Sequence, residues 1–329
     1  MNAEVKKILK YTLSFAAAAV LVWLAFRKVD WKVFLDGLIQ TRWGWVVPYF
    51  AASLGALYFR MLRWKALIKP MDPDVRSLTV WDADNVGNLA SVALPGVGEI
   101  VRCGYLAKGK AGFGSLFGTV LMERIWDILA IIFLFVVSLT LGWNRFGRYF
   151  KEQIVDPISS GLDSSIWWIA AILLAAVAVF FVLTFSLKDR HRFFGKIYGT
   201  LKGFGEGLKT FGKLENKWLF FGYTAGVWLM YILMTFSMVL AVPEISGLDF
   251  LDALFISAVG NVASVIPVPG GIGAYHYLVA LLVSSFYATS WETGILFATL
   301  NHELHAVLIL VLGVISYFSF KLISNSNKI

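Results

Sequence analysis

The stretch Val86–Gly96, VGNLASVALPG, returns almost unchanged at Val259–Gly270 as VGNVASVIPVPG. Both copies interrupt apolar sequence with glycine, asparagine, serine and proline, which are residue types that end or kink helices. Gly, Asn, Ala-Ser and Pro-Gly recur in the same order with one residue of slippage, so chance similarity between Gly- and Ala-rich segments explains the match poorly. We interpret the phrase as the mark of an internal repeat.

The composition is typical of a helical membrane protein. Hydrophobic residues make up 58% of the 329 residues and charged residues 15%, whereas soluble domains carry about 25% charged residues. The single cysteine, Cys103, excludes a disulfide framework and a cysteine-rich metal site. We attribute the net charge of +8 to basic residues on the cytoplasmic side of a membrane and not to nucleic-acid binding.

Six segments are apolar and long enough to cross a bilayer, which takes about 20 residues. The first is predicted to be a retained span, because Arg27-Lys28 follows it without the cleavage pattern of a signal peptide. Basic residues concentrate in the loops after the second and fourth spans, which predicts that both termini are cytoplasmic. The predicted spans cover residues 8–27, 43–63, 113–141, 166–187, 218–241 and 293–320.

The repeated phrases lie in two segments that are too polar or too broken to be single lipid-facing spans. Residues 79–107 contain three acidic residues and Arg102 with basic residues on either side, so this segment is predicted to enter from the cytoplasm and return there. Residues 249–285 start and finish between external segments in the same way. Irregular backbone at membrane depth is tolerated where protein buries it or where it lines a wet cavity. We therefore expect the two hairpins to meet at a shared polar site.

Each half of the chain reads as two spans, a re-entrant hairpin and a third span. Three crossings per half give the halves opposite orientations, which is the inverted-topology repeat of many transporters. The predicted halves are residues 1–142 and 143–329. The expected fold is an all-α polytopic membrane protein with six transmembrane helices and two re-entrant broken-helix hairpins.

Ionisable residues fall near mid-depth in the third predicted span. Glu123 and Asp127 are four residues apart and share one helix face, and Arg124 lies between them. A charge at the bilayer centre costs about 2.5 kcal/mol or more, so these residues must pair or line a polar path. Glu99 is a candidate partner for Arg124, and Arg102 lies on the same face of its hairpin arm. A purely structural ion network is the alternative.

The sixth predicted span repeats this pattern with different chemistry. In an alignment of TVLMER with ATLNHE, His302 corresponds to Glu123 and Glu303 corresponds to Arg124. His276 in the second hairpin likewise corresponds to Glu99 in the first. Histidine titrates near neutral pH, so the two histidines are candidates for a coupling proton; satisfied buried histidines are the equal alternative. The HELH sequence lacks the H-E-x-x-H spacing of a zinc helix and has no third ligand nearer than His276, so we predict no metal.

Both hairpins place glycine directly before a short predicted helix, in PGVGE and in VPGGIGAY. Unpaired amides and a partial positive charge at helix N-termini suit an anionic group such as a phosphate. Tight packing through small residues is the alternative. The chain has no nucleophile motif such as G-x-S-x-G, and we predict neither catalytic residues nor a cofactor.

The segments LPGVGEIVRCGYL, VLMERIWDILA and PVPGGIGAYHYLVALL resemble the lysylphosphatidylglycerol synthase transmembrane-region family, also called flippase-like. The resemblance implies a multi-pass inner-membrane protein that moves or handles lipid headgroups, here as a stand-alone membrane domain. Synthesis of lysylphosphatidylglycerol is not expected, because the sequence shows no counterpart of the soluble aminoacyl-transfer domain of the founding members. Many members look acidic where this chain has His276 and often basic near His302 and Glu303, which leaves substrate and coupling ion open.

The resemblance and the internal repeat together give the predicted substrate-binding residues. In the first half these are Asn88, Ser91, Pro95, Gly96, Gly98, Glu99, Arg102, Glu123, Arg124 and Asp127. In the second half they are Asn261, Pro269, Gly270, Gly271, Gly273, His276, His302 and Glu303.

The leading functional hypothesis is lipid translocation by a flippase or scramblase. A phospholipid or lipid-linked headgroup would cross between the hairpins, with its phosphate on Arg102, Arg124 and hairpin amides, while the tails stay in the bilayer. One alternative is an intramembrane transferase that acts on a lipid carrier with Glu123 or Asp127 as base. Another is a non-transporting partner in envelope biogenesis. The lipid, the direction, proton or ion coupling and the oligomeric state are left open by the sequence.

Overall fold

A computed structural model describes residues 3–94, 96–107, 109–147, 151–152, 156, 186, 198, 211–263 and 268–326. Regular structure in these ranges is helical, and they contain no β-strand, so the all-α class is confirmed. The predicted span 166–187 and most of the basic loop after it lie outside the described residues.

Ten α-helices occur within the described ranges. The first half contains α1 (Ala3–Phe26), α2 (Trp31–Gln40), α3 (Val46–Ile68), α4 (Ser77–Ala93), α5 (Val97–Leu106) and α6 (Phe113–Leu141). The second half contains α7 (Lys217–Ala241), α8 (Phe250–Val262), α9 (Ala274–Phe286) and α10 (Trp291–Ser326).

Three of the predicted spans are long and apolar enough to cross a membrane, judged by length and composition. They comprise Trp43–Ile68, Lys217–Ala241 and Trp291–Ser319. Large apolar side chains are also exposed on the outer faces of α6 and α10, including Ile132, Phe133, Val311 and Ile315. Such faces suit lipid and not water. The complete six-span arrangement stays a prediction.

The first repeated phrase covers the end of α4 and the turn that leads to α5. We call the two helices and this turn hairpin 1. The helix α4 ends at Ala93 because Leu94 takes an extended backbone conformation, and Gly96 then adopts a φ of 74°. This left-handed region favours glycine, which lacks a Cβ. The helix α5 begins at Val97 directly after Gly96, so the predicted helix start after glycine is confirmed.

The second phrase covers the end of α8 and most of the connection to α9. We call α8, this connection and α9 hairpin 2. The helix α8 begins with a capping box in which Asp249 and Asp252 satisfy each other's backbone amides. A single 3₁₀ turn at Pro269–Gly271 precedes α9. The helix α9 begins at Ala274 after Gly273, whose φ is 82°. Each copy of the phrase therefore ends one helix and starts the next.

Helices of one half of the chain pack on helices of the other half in matching pairs. The helices α3 and α7, which occupy matching places in the predicted repeat, form the most extensive interhelical contact among the described helices. The first arm of each hairpin packs on the last helix of the other half, α4 on α10 and α8 on α6. The second arms, α5 and α9, pack on α6 and α10 of their own halves. A repeat related by a twofold axis has this pattern, but the division at residue 142 and membrane re-entry stay predictions.

Two large apolar cores and a small one around Ala263, Val268 and Ala274 hold the described helices together. The larger core joins α3 with α7, α8, α9 and α10 and contains buried aromatic residues such as Tyr49, Phe255 and Phe297. The smaller core joins α3, α4, α5 and α6 around Trp64 and Cys103. The charged residues of the first half lie against the smaller core. One contact between them is the guanidinium of Arg102, which stacks 4.4 Å above the Trp64 ring.

Candidate functional site

The two copies of the repeated phrase contact each other. The turn Pro269–Gly271 of hairpin 2 packs on α4 of hairpin 1. A Cβ added to Gly270 would lie 3.9 Å from Cα of Val92, which is ordinary van der Waals contact. Residues from both copies therefore line one interface between the hairpins.

Four arginines and four carboxylates from α3, α4, α5 and α6 form one network of ion pairs, which we call the arginine–carboxylate cluster. Its formal charges cancel, as burial in an apolar surrounding requires. The members are Arg60, Arg63, Asp84, Glu99, Arg102, Glu123, Arg124 and Asp127.

The inner part of the cluster is closed. Arg63 lies 3.2 Å from Glu123 through Nε and 2.7 Å from Asp127 through Nη1. Arg102 lies 2.9 Å from Asp84 and 2.9 Å from Glu123 through its two terminal nitrogens. Arg63, Arg102, Glu123 and Asp84 are at most 4% exposed. These residues are already paired and face no open space.

The outer part of the cluster opens at Arg124. The Arg124 side chain is 46% exposed, pairs with Glu99 and lies 3.7 Å from Asp127. Glu99 also lies 3.9 Å from Arg102, so it connects the exposed arginine to the closed part. Arg124 is the member of the cluster that a ligand can reach.

An apolar cavity of about 510 Å³ lies between α6 and α7. Its lining includes Trp126, Phe133, Phe221 and Trp228. The indole nitrogens of Trp126 and Trp228 are buried and have no hydrogen-bond partner in the described part of the chain. Trp126 is two residues from Arg124 on α6, so the two side chains point to different faces of the helix. The cavity wall is apolar, and the two unpaired indole N–H groups are buried within it.

The second half has its own polar group at the tip of hairpin 2, which we call the histidine cluster. It consists of His276 on α9 with His302 and Glu303 on α10, and one ligand atom of each lies within 4.8 Å of the others. Glu303 Oε1 lies 3.5 Å from His276 Nε2 and 3.0 Å from His302 Nδ1. His302 Nε2 lies 2.9 Å from the carbonyl oxygen of Gly270.

The helix α3 connects the two clusters. Its Ser53 hydroxyl lies 2.6 Å from His305 Nδ1, next to the histidine cluster, while Arg60 lies 3.6 Å from Asp84 in the arginine–carboxylate cluster. Seven residues of helix separate Ser53 from Arg60, which is about 10 Å along the axis. The predicted site residues thus gather in two neighbouring groups and not in one pocket.

Several predicted site residues of hairpin 1 serve mainly its packing. A Cβ on Gly98 would lie 2.2 Å from the carbonyl oxygen of Gly87 and 2.0 Å from the Ser91 hydroxyl, so the arms touch through glycine. Asn88 Oδ1 accepts a hydrogen bond of 3.4 Å from Arg60. Pro95 lies outside the described residues.

The remaining predicted residues of hairpin 2 also shape the backbone. Asn261 donates to the carbonyl oxygen of Ser257 at 2.8 Å, within α8. Gly271 faces His302, with 3.5 Å from an added Cβ to Nε2. Gly273 approaches α1, where an added Cβ would lie 2.7 Å from the Val22 nitrogen. Pro269 is buried at the start of the turn.

The sequence analysis missed Arg60 and Arg63, which it assigned to the end of the second span and the cytoplasmic loop. The helix α3 continues to Ile68, so both arginines lie inside it and face the other helices. The charge balance of the predicted site residues pointed to a further arginine. Glu99, Glu123 and Asp127 outnumber Arg102 and Arg124, so the predicted group needed a further buried cation.

The sequence profile of the family described as "Lysylphosphatidylglycerol synthase TM region" matches residues 9–313. The chain belongs to this family. Membership identifies a multi-pass membrane protein and suggests a function that concerns membrane lipids. No curated protein and no solved structure matches the chain significantly.

Proposed function

We propose that this family member translocates a phospholipid or lipid-linked headgroup from one membrane leaflet to the other. The observation that carries the proposal is a buried, charge-balanced cluster that opens through one exposed arginine. Ionisable residues at membrane depth are costly, so they are kept where a polar substrate must pass. The family supports a lipid as the substrate.

Arg124 is the first contact for the phosphate in this proposal. It is held by Glu99, and an arriving phosphate replaces that carboxylate as the partner of its guanidinium. Glu99 keeps its neighbour Arg102 at 3.9 Å, so the exchange leaves no isolated charge. The N-terminus of α5 adds a partial positive charge, because its first amides have no intrahelical acceptor and the N-cap Gly96 has no side chain to accept from them.

The cavity between α6 and α7 suits the acyl chains. Its lining is dominated by aromatic and aliphatic side chains, as expected for an apolar ligand. Rotation of the Trp126 and Trp228 rings would turn their buried, unpaired indole N–H groups towards ester oxygens at the glycerol end of a lipid in the cavity. A headgroup at the cluster would lie on the other face of α6, with its tails in the surrounding bilayer.

The geometry favours translocation over a transferase reaction. A general base needs a carboxylate oxygen directed at the substrate. Glu123 is bound at its two oxygens by Arg63 and Arg102, and Asp127 accepts two hydrogen bonds from Arg63. Both candidate bases are therefore engaged within the protein.

Movement of one half against the other would alternate access to the site. In repeat transporters the two halves rock around a fixed site near the midplane. Here the exchanged contacts of α4 with α10 and of α8 with α6 form the surface along which such rocking would occur.

Reconstitution in liposomes with headgroup-varied fluorescent lipids tests the proposal. We expect wild type to move lipid between leaflets, and Arg124→Ala to reduce the rate at least about tenfold, as loss of a charge-assisted contact of about 1.5–3 kcal/mol predicts. Glu123→Gln is expected to impair transport as well. The matched control is Arg145→Ala, which removes a similarly exposed arginine paired with Asp249 away from the cluster.

Mass spectrometry of the recovered lipid separates the alternatives. Translocation leaves the lipid chemically unchanged, whereas a transferase alters it. Wild-type rates equal to empty vesicles, for every headgroup and imposed pH gradient, would contradict translocation. Cellular function that survives alanine at Glu99, Arg102, Glu123 and Arg124 in a folded protein would favour the envelope-partner alternative.

The cavity has a separate test. Trp126→Phe and Trp228→Phe keep the ring but remove the N–H donor, so a loss of one hydrogen bond, about 0.5–1.5 kcal/mol, slows transport by a few-fold. Trp218→Phe is the control, because the Trp218 side chain is 84% exposed and lies outside the cavity lining. Equal rates in all three variants would exclude a role for these indoles.

A further inference from the structure

We propose that His276, His302 and Glu303 bind one divalent transition-metal ion of the zinc class. The proposal comes from the geometry of the histidine cluster. Two imidazoles and one carboxylate are the ligand set of many zinc sites with three protein ligands and one exchangeable position. It does not depend on lipid translocation.

The distances between the donor atoms fit such a site. Glu303 Oε1 lies 3.5 Å from His276 Nε2 and 3.0 Å from His302 Nδ1. Ligand atoms about 2.0–2.1 Å from a tetrahedral zinc ion are about 3.3 Å apart. An ion between these atoms therefore needs only small side-chain adjustments.

The contacts of His302 suit a cation bound at Nδ1. Its Nδ1 faces the Glu303 carboxylate at 3.0 Å and its Nε2 faces the Gly270 carbonyl at 2.9 Å. Both neighbours are acceptors, whereas a neutral imidazole carries one N–H. A metal on Nδ1 resolves this conflict, because Nε2–H then donates to the carbonyl. Ligating histidines usually make such a second bond.

The surroundings of His276 point the same way. Its side chain is 3% exposed, and Nδ1 has no hydrogen-bond partner among the residues that the structure describes. Its Nε2 faces Glu303 at 3.5 Å, which is too long for a good hydrogen bond. Buried polar groups normally have a strong partner; a metal bond supplies one to Nε2, whereas Nδ1 lies on the other side of the ring and gains none from it.

This site differs from the one that the HELH sequence excluded. That argument concerned His302 and His305, which have the wrong spacing for a zinc helix. In the structure His305 contacts Ser53 instead, and the third ligand comes from α9. The ion would join α9 to α10 and, through His302 and Gly270, hold the tip of hairpin 2 where it meets α4.

Zinc binding by the full-length protein in detergent tests the proposal. The protein carries a tag without histidines, is stripped with a chelator and is titrated with Zn²⁺ by calorimetry, with metal content measured after desalting. We expect one ion per chain, and binding weakened more than about tenfold in His276→Gln and Glu303→Gln, since second-shell changes alone cost 10- to 100-fold. Co²⁺ should give the absorption spectrum of a tetrahedral site.

His305→Gln is the matched control, because it alters a histidine of the same helix outside the cluster. It is expected to bind Zn²⁺ like wild type. Size-exclusion profiles show whether each variant is folded, and Glu303→Gln alters a half-exposed side chain, so it keeps the test valid if His276→Gln aggregates. No binding to wild type, or equal binding by wild type and Glu303→Gln, would overturn the proposal.

Discussion

The two halves of the protein place an ionisable pair at the same point of the repeat, with opposite polarity. In hairpin 1 the acidic Glu99 contacts Arg124 of the following helix. In hairpin 2 His276 lies 3.5 Å from Glu303 of the following helix, and these residues correspond to Glu99 in the first hairpin and, in the alignment of TVLMER with ATLNHE, to Arg124. The repeat therefore preserves which positions touch, while the side chains at those positions have diverged.

The surroundings of the two pairs differ more than the pairs themselves. Behind Glu99 and Arg124 lies a closed network of buried ion pairs. Behind the histidine cluster lie aromatic rings, with the Tyr275 ring 5.3 Å from that of His302. One half is thus built around permanent charges and the other around groups whose charge depends on a proton or a bound ion. We infer that only the first half recognises an anionic headgroup directly.

The largest expected effect comes from breaking the closed network. Arg102→Met leaves Asp84 and Glu123 short of a partner, and loss of one member of a buried pair costs about 3–5 kcal/mol. In metal-free buffer His276→Gln should lower the stability less, because His276 lies farther from its partner Glu303. Denaturant titration in micelles measures both, with the exposed Arg76→Met as control. Equal losses in the two halves would contradict the comparison.

The two hairpins should also differ in their tolerance of alanine. Gly98→Ala forces a Cβ against the Gly87 carbonyl at 2.2 Å, and overpacking costs about 1–3 kcal/mol. Gly260→Ala in hairpin 2 should cost less, because the neighbour at 2.9 Å is the Tyr275 side chain, which can move. Thermal unfolding of purified variants measures the difference.

The control for these substitutions is Gly104→Ala on α5. An added Cβ there meets no described atom within 4 Å, so alanine should stabilise the helix by about 0.5–1 kcal/mol. A loss of stability in Gly104→Ala equal to that in Gly98→Ala would mean that close approach of the arms is not the cause.

Introducing the residue types of the histidine cluster into hairpin 1 separates effects on stability from effects on transport. The double variant Glu99→His, Arg124→Glu recreates the His276–Glu303 pair in hairpin 1. We expect a stability change of about 1 kcal/mol or less, because the pair is partly exposed, and lipid flux at least about tenfold lower, because the exposed cation is lost. The swap Glu99→Arg, Arg124→Glu controls for pairing alone. Full flux in the double variant would show that the two clusters are interchangeable.

The smallest expected effect belongs to an exposed pair far from either cluster. Arg145 lies 2.7 Å from Asp249, and its hydrogen bond holds the pKa of that carboxyl below the ordinary value. The pair therefore stabilises the fold above about pH 4, and this contribution is lost as the pH falls through the lower pKa of the folded state. Asp249→Asn should lower stability by less than about 1 kcal/mol near neutral pH.

Melting curves followed by circular dichroism across this pH range check the sign. Wild type and Asp249→Asn should differ near neutrality and converge in acid. A difference that grows in acid would contradict the assignment.

The apolar spans, the two helix breaks and the positions that carry charge were predictable from residue types. A Pro-Gly pair favours a helix end, because proline lacks an amide donor and glycine tolerates a positive φ; the phrase at Val86–Gly96 therefore predicted a turn followed by a helix, and Gly96 provides the turn. The pairing of Glu99 with Arg124 was also predictable as a candidate, because charges near mid-depth need partners.

The role of Arg63 was not predictable from the sequence. The residue lies near the end of an apolar run, where positive charges usually mark the cytoplasmic loop. Its burial depends on how α3 packs against α6, which no local pattern encodes. The separation into two clusters has the same origin, because α3 supplies polar residues to both and sets their distance.

The sequence by itself determined the helical class, the family and the repeated helix breaks, since these follow from short-range backbone preferences and from hydrophobicity. Only the tertiary structure decided which arginines are buried, which one is exposed and that His276 approaches His302 and Glu303. Charges and metal ligands act across distances of a few ångströms in space, and residues far apart in the chain reach such distances only when the helices pack.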